Sequence, residues 1–278
     1  LFTINYQQLV AHEGDGSQTM LDKYEEMLLR YRLSPSVLQF VSSYDADEFA
    51  DRAYAWCLKG MSTIGLPMGS KTMGLDGFTV FDSAHMAECI VALAKKSLAT
   101  NYNLIEKCAF YNFMIDEPFC VAYEDGKVAA YIKAFDCVIE QATVALQQDP
   151  SFTGTFAEQL LKDVFKIPDI VTDYNTDEWG NAHRIEDPIK NADGTDFTYE
   201  GKNVSVCPKP DAYNSEEERA TYQTDRERWW YNCNLPKAPY PTYHVDDSMT
   251  STIALEWMMA EYGIVGNLYW VVNRHALD

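Results

Sequence analysis

The chain has 278 residues and a formal net charge of −20 at pH 7. That length can bury a large core and suits one (β/α)8 barrel, which runs to about 250 residues, and the apolar and aromatic content excludes disorder. A field of this sign repels phosphate backbones and anionic membrane surfaces. It excludes nucleic acid as a partner and tolerates a neutral oligosaccharide.

Strand-like and helical stretches alternate from the start. Leu1 to Val10 reads as a strand and Ser17 to Tyr31 as a helix with Pro35 as a stop. Ala46 to Lys59 reads as a helix, and Met61 to Leu66 as a short strand ended by Pro67 and Gly69. Ser83 to Ala99 is an amphipathic helix. Lys107 to Ile115 is a nearly continuous apolar run, as expected of a strand buried on both faces. Gly126 to Gln148 and Phe156 to Phe165 follow as helices, then Pro168 to Asp173 as a strand. Residues 175–212 are polar, with turn signals at Asp193-Gly194 and Glu200-Gly201, and predict a loop or hairpin insertion. Ser215 to Asp225 reads as a charged helix, Arg228 to Asn232 as a strand, Ser248 to Tyr262 as a helix and Gly266 to Val272 as the last strand. This rhythm predicts an α/β chain, a single (β/α)8 TIM-type barrel over residues 1–278, incomplete at one or both ends because fewer than eight strands are convincing. The abrupt ends suggest a fragment of a longer protein, so the absence of a leader leaves the compartment open.

Seven cysteines are widely spaced, with no CxxC and no Cys/His cluster of zinc spacing, and the five histidines show no metal spacing. Cys89, Cys108 and Cys137 lie among apolar residues and read as small buried hydrophobes. Neither a metal nor a cofactor is expected. No run of eighteen apolar residues exists to span a membrane.

The segment richest in chemistry is Phe110-Tyr111-Asn112-Phe113-Met114-Ile115-Asp116-Glu117-Pro118. Two adjacent carboxylates end an apolar strand, at the strand end where barrels of this class place their active sites. Strict alternation sends Asp116 and Glu117 to opposite sides, but Pro118 ends the strand, so a turn can aim both into one pocket. Repulsion and burial would then raise the pKa of one of them, as a general acid requires. The same three residues also begin ordinary solvated loops.

A second cluster is Trp229-Trp230-Tyr231-Asn232-Cys233, followed by Pro236, Pro239-Tyr240-Pro241-Thr242-Tyr243 and Asp246-Asp247, then Leu255-Glu256-Trp257 and Tyr262-Gly263-Ile264-Val265-Gly266-Asn267-Leu268-Tyr269-Trp270. With Phe110 to Pro118, this order resembles the catalytic domain of glycoside hydrolase family 123, the β-N-acetylgalactosaminidases and their relatives. The resemblance covers most of the chain and is weakest from Asp173 to Arg228. It implies a retaining hydrolase that removes terminal β-linked N-acetylgalactosamine by substrate-assisted catalysis, with the acetamido oxygen as nucleophile and an oxazoline intermediate. In that reading Glu117 is the general acid and base, and Asp116 holds the acetamido N–H and stabilises the positive intermediate. Trp230, Tyr231, Tyr240, Tyr243, Trp270 and Asn273, near strand ends or in the loops after them, would line the sugar pocket, although core packing explains each ring equally well. The alternatives are a hydrolase of the same fold acting on a β-N-acetylglucosaminide or neutral glycoside, a non-catalytic carbohydrate-binding barrel, and an unrelated barrel enzyme. The oligomeric state is open.

Overall fold

The computed structural model describes residues 2, 4–35, 45–67, 82–115, 127–172, 193–195, 204–216, 227–233 and 236–269. Helices start where a side chain can accept the free amides of the first turn. The Ser17 hydroxyl accepts from Met20 N–H at 3.3 Å and opens α2 (Gln18–Arg30). The Asp45 carboxylate does the same for α3 (Ala46–Leu58) at 2.8 Å, and the Asp82 carboxylate for α4 (Ser83–Thr100) at 3.1 Å. The helices α5 (Leu104–Lys107), α6 (Lys127–Gln148), α7 (Thr155–Val164) and α8 (Met249–Tyr262) complete the outer layer.

The amino-terminal stretch departs from its expected strand. Asn5 accepts from Gln8 N–H at 2.9 Å and Gly14 closes the other end at φ 67°, so Tyr6–Glu13 forms the helix α1. A cap at each end outweighs the alternating apolar pattern. Among the described residues of this stretch, Phe2 keeps strand character, through parallel bridges to Pro35 and Tyr269.

Among the described residues all the strand pairs are parallel. β1 (Thr63–Gly65), β2 (Ala109–Ile115), β3 (Asp169–Thr172) and β4 (Val204–Cys207) pair in that order, and β5 (Arg228–Asn232) pairs with β6 (Ile264–Tyr269). Tyr231 N–H donates to the Pro208 carbonyl at 3.0 Å and joins β4 to β5. Beyond β6, Phe2 bridges Tyr269 and Pro35, and Ser62 N–H donates to Ser34 Oγ at 3.1 Å next to β1. The ring of parallel neighbours inside helices is a TIM-type (β/α) barrel, with six strands among the described residues and single bridges at the seam between β6 and β1. β4 was hidden inside the expected insertion at 175–212. Its Val-Ser-Val-Cys alternation is four residues long, too short to stand out among polar neighbours. The expected helix at Ser215 to Asp225 falls mostly on residues 217–226, outside the described residues.

Alternation divides the strand side chains into two sets. Ile64, Phe110, Val171 and Val204 face α3 to α7 and share the main core with Phe49, Leu93 and Phe135. Tyr111, Ile170, Cys207, Trp229, Tyr231 and Leu268 meet each other and fill the barrel. Gly266 belongs to this packing, because a Cβ there would lie 2.1 Å from Trp229 Cδ2. Gly266→Ala should therefore cost about 1–3 kcal/mol by overpacking, read as a lower midpoint in urea denaturation; an unchanged midpoint would show that Trp229 can move aside.

One polar pair is buried on the helix side of the sheet. Asn112 Nδ2 donates to Asp169 Oδ1 at 2.8 Å, across the β2–β3 register. Burial holds the Asp169 carboxyl well above the usual carboxylate range, against the opposing pull of the Asn112 amide, and the charge of Asp136 on α6 adds to the rise. The folded chain therefore keeps a proton that the unfolded chain releases near the ordinary value of 3.8. Stability from this group is fully present below the unfolded value and is lost as pH rises through the raised folded one. Asp169→Asn keeps a neutral partner for Asn112. Its thermal midpoint should gain on that of the parent chain as pH rises, and parallel midpoint-against-pH curves for the two proteins would refute this.

Cys89 and Cys108 are buried, as expected, whereas Cys137 stands on the exposed face of α6. Burial pushes the Cys89 thiol up to about 12, so it behaves as an inert apolar group. No described helix is long and apolar enough to cross a membrane.

Candidate active site

In barrels of this kind, the loops after the strands build the active site at the carboxyl-terminal face. Around that mouth the described residues include Leu66 and Pro67 after β1, Thr172 ending β3, Cys207 ending β4 with Pro208-Lys209-Pro210 after it, and Asn232-Cys233 at the end of β5. Most of these are apolar or small. Lys209 is the exception. It stands two residues past the end of β4 and is only 1% exposed.

Lys209 is held there by its own sequence. Pro210 disfavours helical backbone in the residue before it, and Lys209 adopts φ −75°, ψ 159°. The Pro208 carbonyl accepts from Tyr231 N–H on β5, and the Lys209 carbonyl accepts from Ala212 N–H at 3.0 Å. The lysine backbone is thus pinned on both sides, between a sheet bond and the 3-10 turn Pro210–Tyr213. A buried ammonium is costly unless neighbours compensate it, and Lys209 has such neighbours. What sets it apart is its place directly after β4, on the face where barrels of this kind carry their active sites. The signal in the sequence is the Pro-Lys-Pro frame, which the polar surroundings of residues 175–212 concealed.

The loop after β5 packs back over that strand. A backbone carbonyl can only accept, so His244 Nε2 donates to the Cys233 carbonyl at 2.6 Å, which fixes the tautomer. Thr242 N–H donates to Ser251 Oγ at 2.7 Å, and the Thr242 hydroxyl donates to the Asp247 carboxylate. Tyr240 lies half-buried in this loop.

The expected sugar-contact residues separate into different environments. Tyr231 is buried inside the barrel with Tyr111, Cys207 and Trp229. Trp230, its neighbour, faces the helices. It is fully buried against Tyr213, Leu255 and Ile264, with the Tyr213 ring edge-on at 6.0 Å, where no substrate reaches it. Tyr243 also lies on the helix side. Its hydroxyl donates to Glu256 Oε1 on α8 at 2.6 Å and accepts from Asn267 Nδ2 at 2.7 Å, while its ring packs edge-on to Phe2 and Tyr269. Burial and the Glu256 carboxylate raise its phenol above the usual range. These two rings belong to the packing that binds α8 to the sheet. Asp116, Glu117, Trp270 and Asn273 lie outside the described residues.

Among the described residues, cavities also lie elsewhere. One of about 190 Å³ opens at the β6–β1 seam among Ser34, Ser62, Thr63, Trp229 and Gly266. These residues sit at or near strand beginnings, where barrels carry stability rather than catalysis. A groove of about 600 Å³ runs between α3, α4 and α6, lined by alanines with Asp45, Asp47, Glu88 and Lys95. Its lysine is tied to Asp149 at 2.6 Å. Among the described residues, no group of three His, Cys, Asp or Glu side chains could hold a metal ion.

No known family pattern matches the chain, and no curated protein matches it. Several solved structures are similar to it, two of them as follows. A D-psicose 3-epimerase studied in the presence of D-fructose is 14% identical, with 89% of this chain and 77% of that one covered and a TM-score of 0.38. A sugar phosphate isomerase/epimerase from Parabacteroides distasonis is 11% identical, with 99% and 91% covered and a TM-score of 0.41. The likeness carries no argument about substrate or reaction. The expectation from sequence is corrected all the same. No family pattern supports the resemblance to glycoside hydrolase family 123, and the similar structures are named for epimerisation and isomerisation, not for glycoside hydrolysis. The retaining glycosidase, its oxazoline intermediate and its terminal N-acetylgalactosamine substrate are withdrawn with that resemblance. Of the motifs that suggested it, the aromatic runs around β5 and β6 have rings that divide between barrel interior and helix packing, and the Asp116-Glu117 pair lies outside the described residues.

Proposed function

We propose that the chain is an enzyme whose active site is the carboxyl-terminal mouth of the barrel, and that it moves a proton beside a carbonyl of a small, neutral, hydroxylated substrate such as a sugar. The observation that carries this is the buried Lys209, fixed between two prolines directly after β4. A preorganised ammonium in a site shielded from water stabilises negative charge as it develops on a carbonyl oxygen during proton removal. Proton removal needs a base. Asp116 and Glu117 are proposed for that work because the sequence sets them next after Ile115, the last residue of β2. Tyr231 and Tyr111, inside the barrel, supply apolar rings beneath the mouth. The net charge of −20 favours a neutral substrate over a polyanion.

A panel of aldoses and ketoses incubated with the protein in deuterated water tests the reading. Solvent deuterium should enter the carbon next to the carbonyl of at least one sugar, with the isomer appearing alongside, as followed by proton NMR. A panel in which no sugar exchanges and none shifts the thermal midpoint would overturn the proposal.

A further inference from the structure

The helix α8 carries apolar side chains on every side of its sequence, Met-Thr-Ser-Thr-Ile-Ala-Leu-Glu-Trp-Met-Met-Ala-Glu-Tyr. A helix of that kind is ordinarily buried all round. Here only Leu255 is fully buried, while Met258, Met259 and Tyr262 pack partly against Trp230 and Tyr213. On the opposite face Met249 is 86% exposed, Ile253 50% and Trp257 74%, and Val245 just before the helix is 96% exposed. Positions 249, 253 and 257 are four apart and form one stripe. The stripe therefore runs along the outermost surface of the barrel, where a polar face belongs. Ala260 extends it, and Glu256 and Glu261 flank it.

From this stripe we infer that α8 is a dimerisation surface on which two copies of the chain pair across a two-fold axis, helix against antiparallel helix. A two-fold contact needs only one self-complementary patch, and this stripe meets that need by itself. The pairing sets Trp257 of each copy against Ile253 of the other, with Met249 and Val245 outside them. Glu256 and Glu261 fall on the rim and stay hydrated. The exposed side chains and their flanks offer on the order of 500 Å² per copy, so the pair buries on the order of 1,000 Å², the size a specific interface should clear. A central tryptophan ringed by aliphatic groups is also the composition that dominates binding energy at interfaces.

The net charge of −20 makes the inference sharply testable. Two like-charged copies repel over a distance that salt shortens, to about 10 Å at about 0.1 M and about 3 Å at about 1 M. The self-association constant of the 278-residue chain, measured by sedimentation equilibrium, should therefore rise with sodium chloride. The mass should approach twice 31.7 kDa at high salt. W257E and I253E should each stay at 31.7 kDa under the same conditions with an unchanged circular dichroism spectrum. In the parent chain, Trp257 emission should shift to the blue as the dimer forms. The inference is overturned if the parent stays monomeric at high salt, or if its dimer weakens as salt rises. It is equally overturned if folded W257E still dimerises, or if a monomeric parent binds a Leu/Lys amphipathic helical peptide through Trp257, which would give the stripe to a basic foreign partner. None of these readings depends on catalysis at the mouth.

Discussion

Lys209→Met should lower kcat/KM by about 10²- to 10³-fold, the usual effect of removing one preorganised group that stabilises a developing oxyanion. The lysine is fully buried after β4, and its backbone is fixed by Pro208 and Pro210, so the change removes a charge without loosening a loop. If the ammonium acts in the transition state, the loss lies in kcat, with KM little changed. The substrate for this assay is the sugar that exchanges deuterium in the panel. Lys209→Gln is the companion variant, since its amide can donate a weaker hydrogen bond and should recover part of the rate. Full turnover by a folded Lys209→Met protein would remove the lysine from the mechanism. A loss confined to KM would make it a substrate-holding group.

Trp230→Ala should destabilise the chain by about 3–5 kcal/mol, as expected for truncating a large ring in a packed core. That is a large share of the roughly 5–15 kcal/mol by which a domain is stable. Trp230 is completely buried between β5 and α8, with Tyr213, Leu255 and Ile264 around it. Urea denaturation reads the effect directly. Tyr231→Phe gives the contrast, because that side chain points into the barrel. It keeps the ring and removes one hydroxyl, so the urea midpoint should fall by far less than for Trp230→Ala. A Trp230→Ala protein that lost less than about 1 kcal/mol yet failed to bind substrate would return the ring to the site.

The sequence by itself determined the elements that local chemistry encodes. Ser17, Asp45 and Asp82 mark helix starts because their side chains accept first-turn amides. The apolar run ending at Ile115 marks a strand covered on both sides, and the alternation of such runs with helices marks a parallel barrel. What it could not set was the side each aromatic takes. Trp229 and Trp230 are adjacent and chemically alike, yet one fills the barrel and the other packs under α8, because pleating turns successive side chains to opposite faces. Which face is inside depends on register against β6, a long-range choice that no local pattern carries. β4 and Lys209 escaped notice for a related reason. A four-residue strand and one lysine acquire meaning only when the ring of strands closes around them. The exposure of Met249, Ile253 and Trp257 was equally invisible beforehand, since an apolar helix is read as buried until the fold shows which of its sides the sheet has already covered.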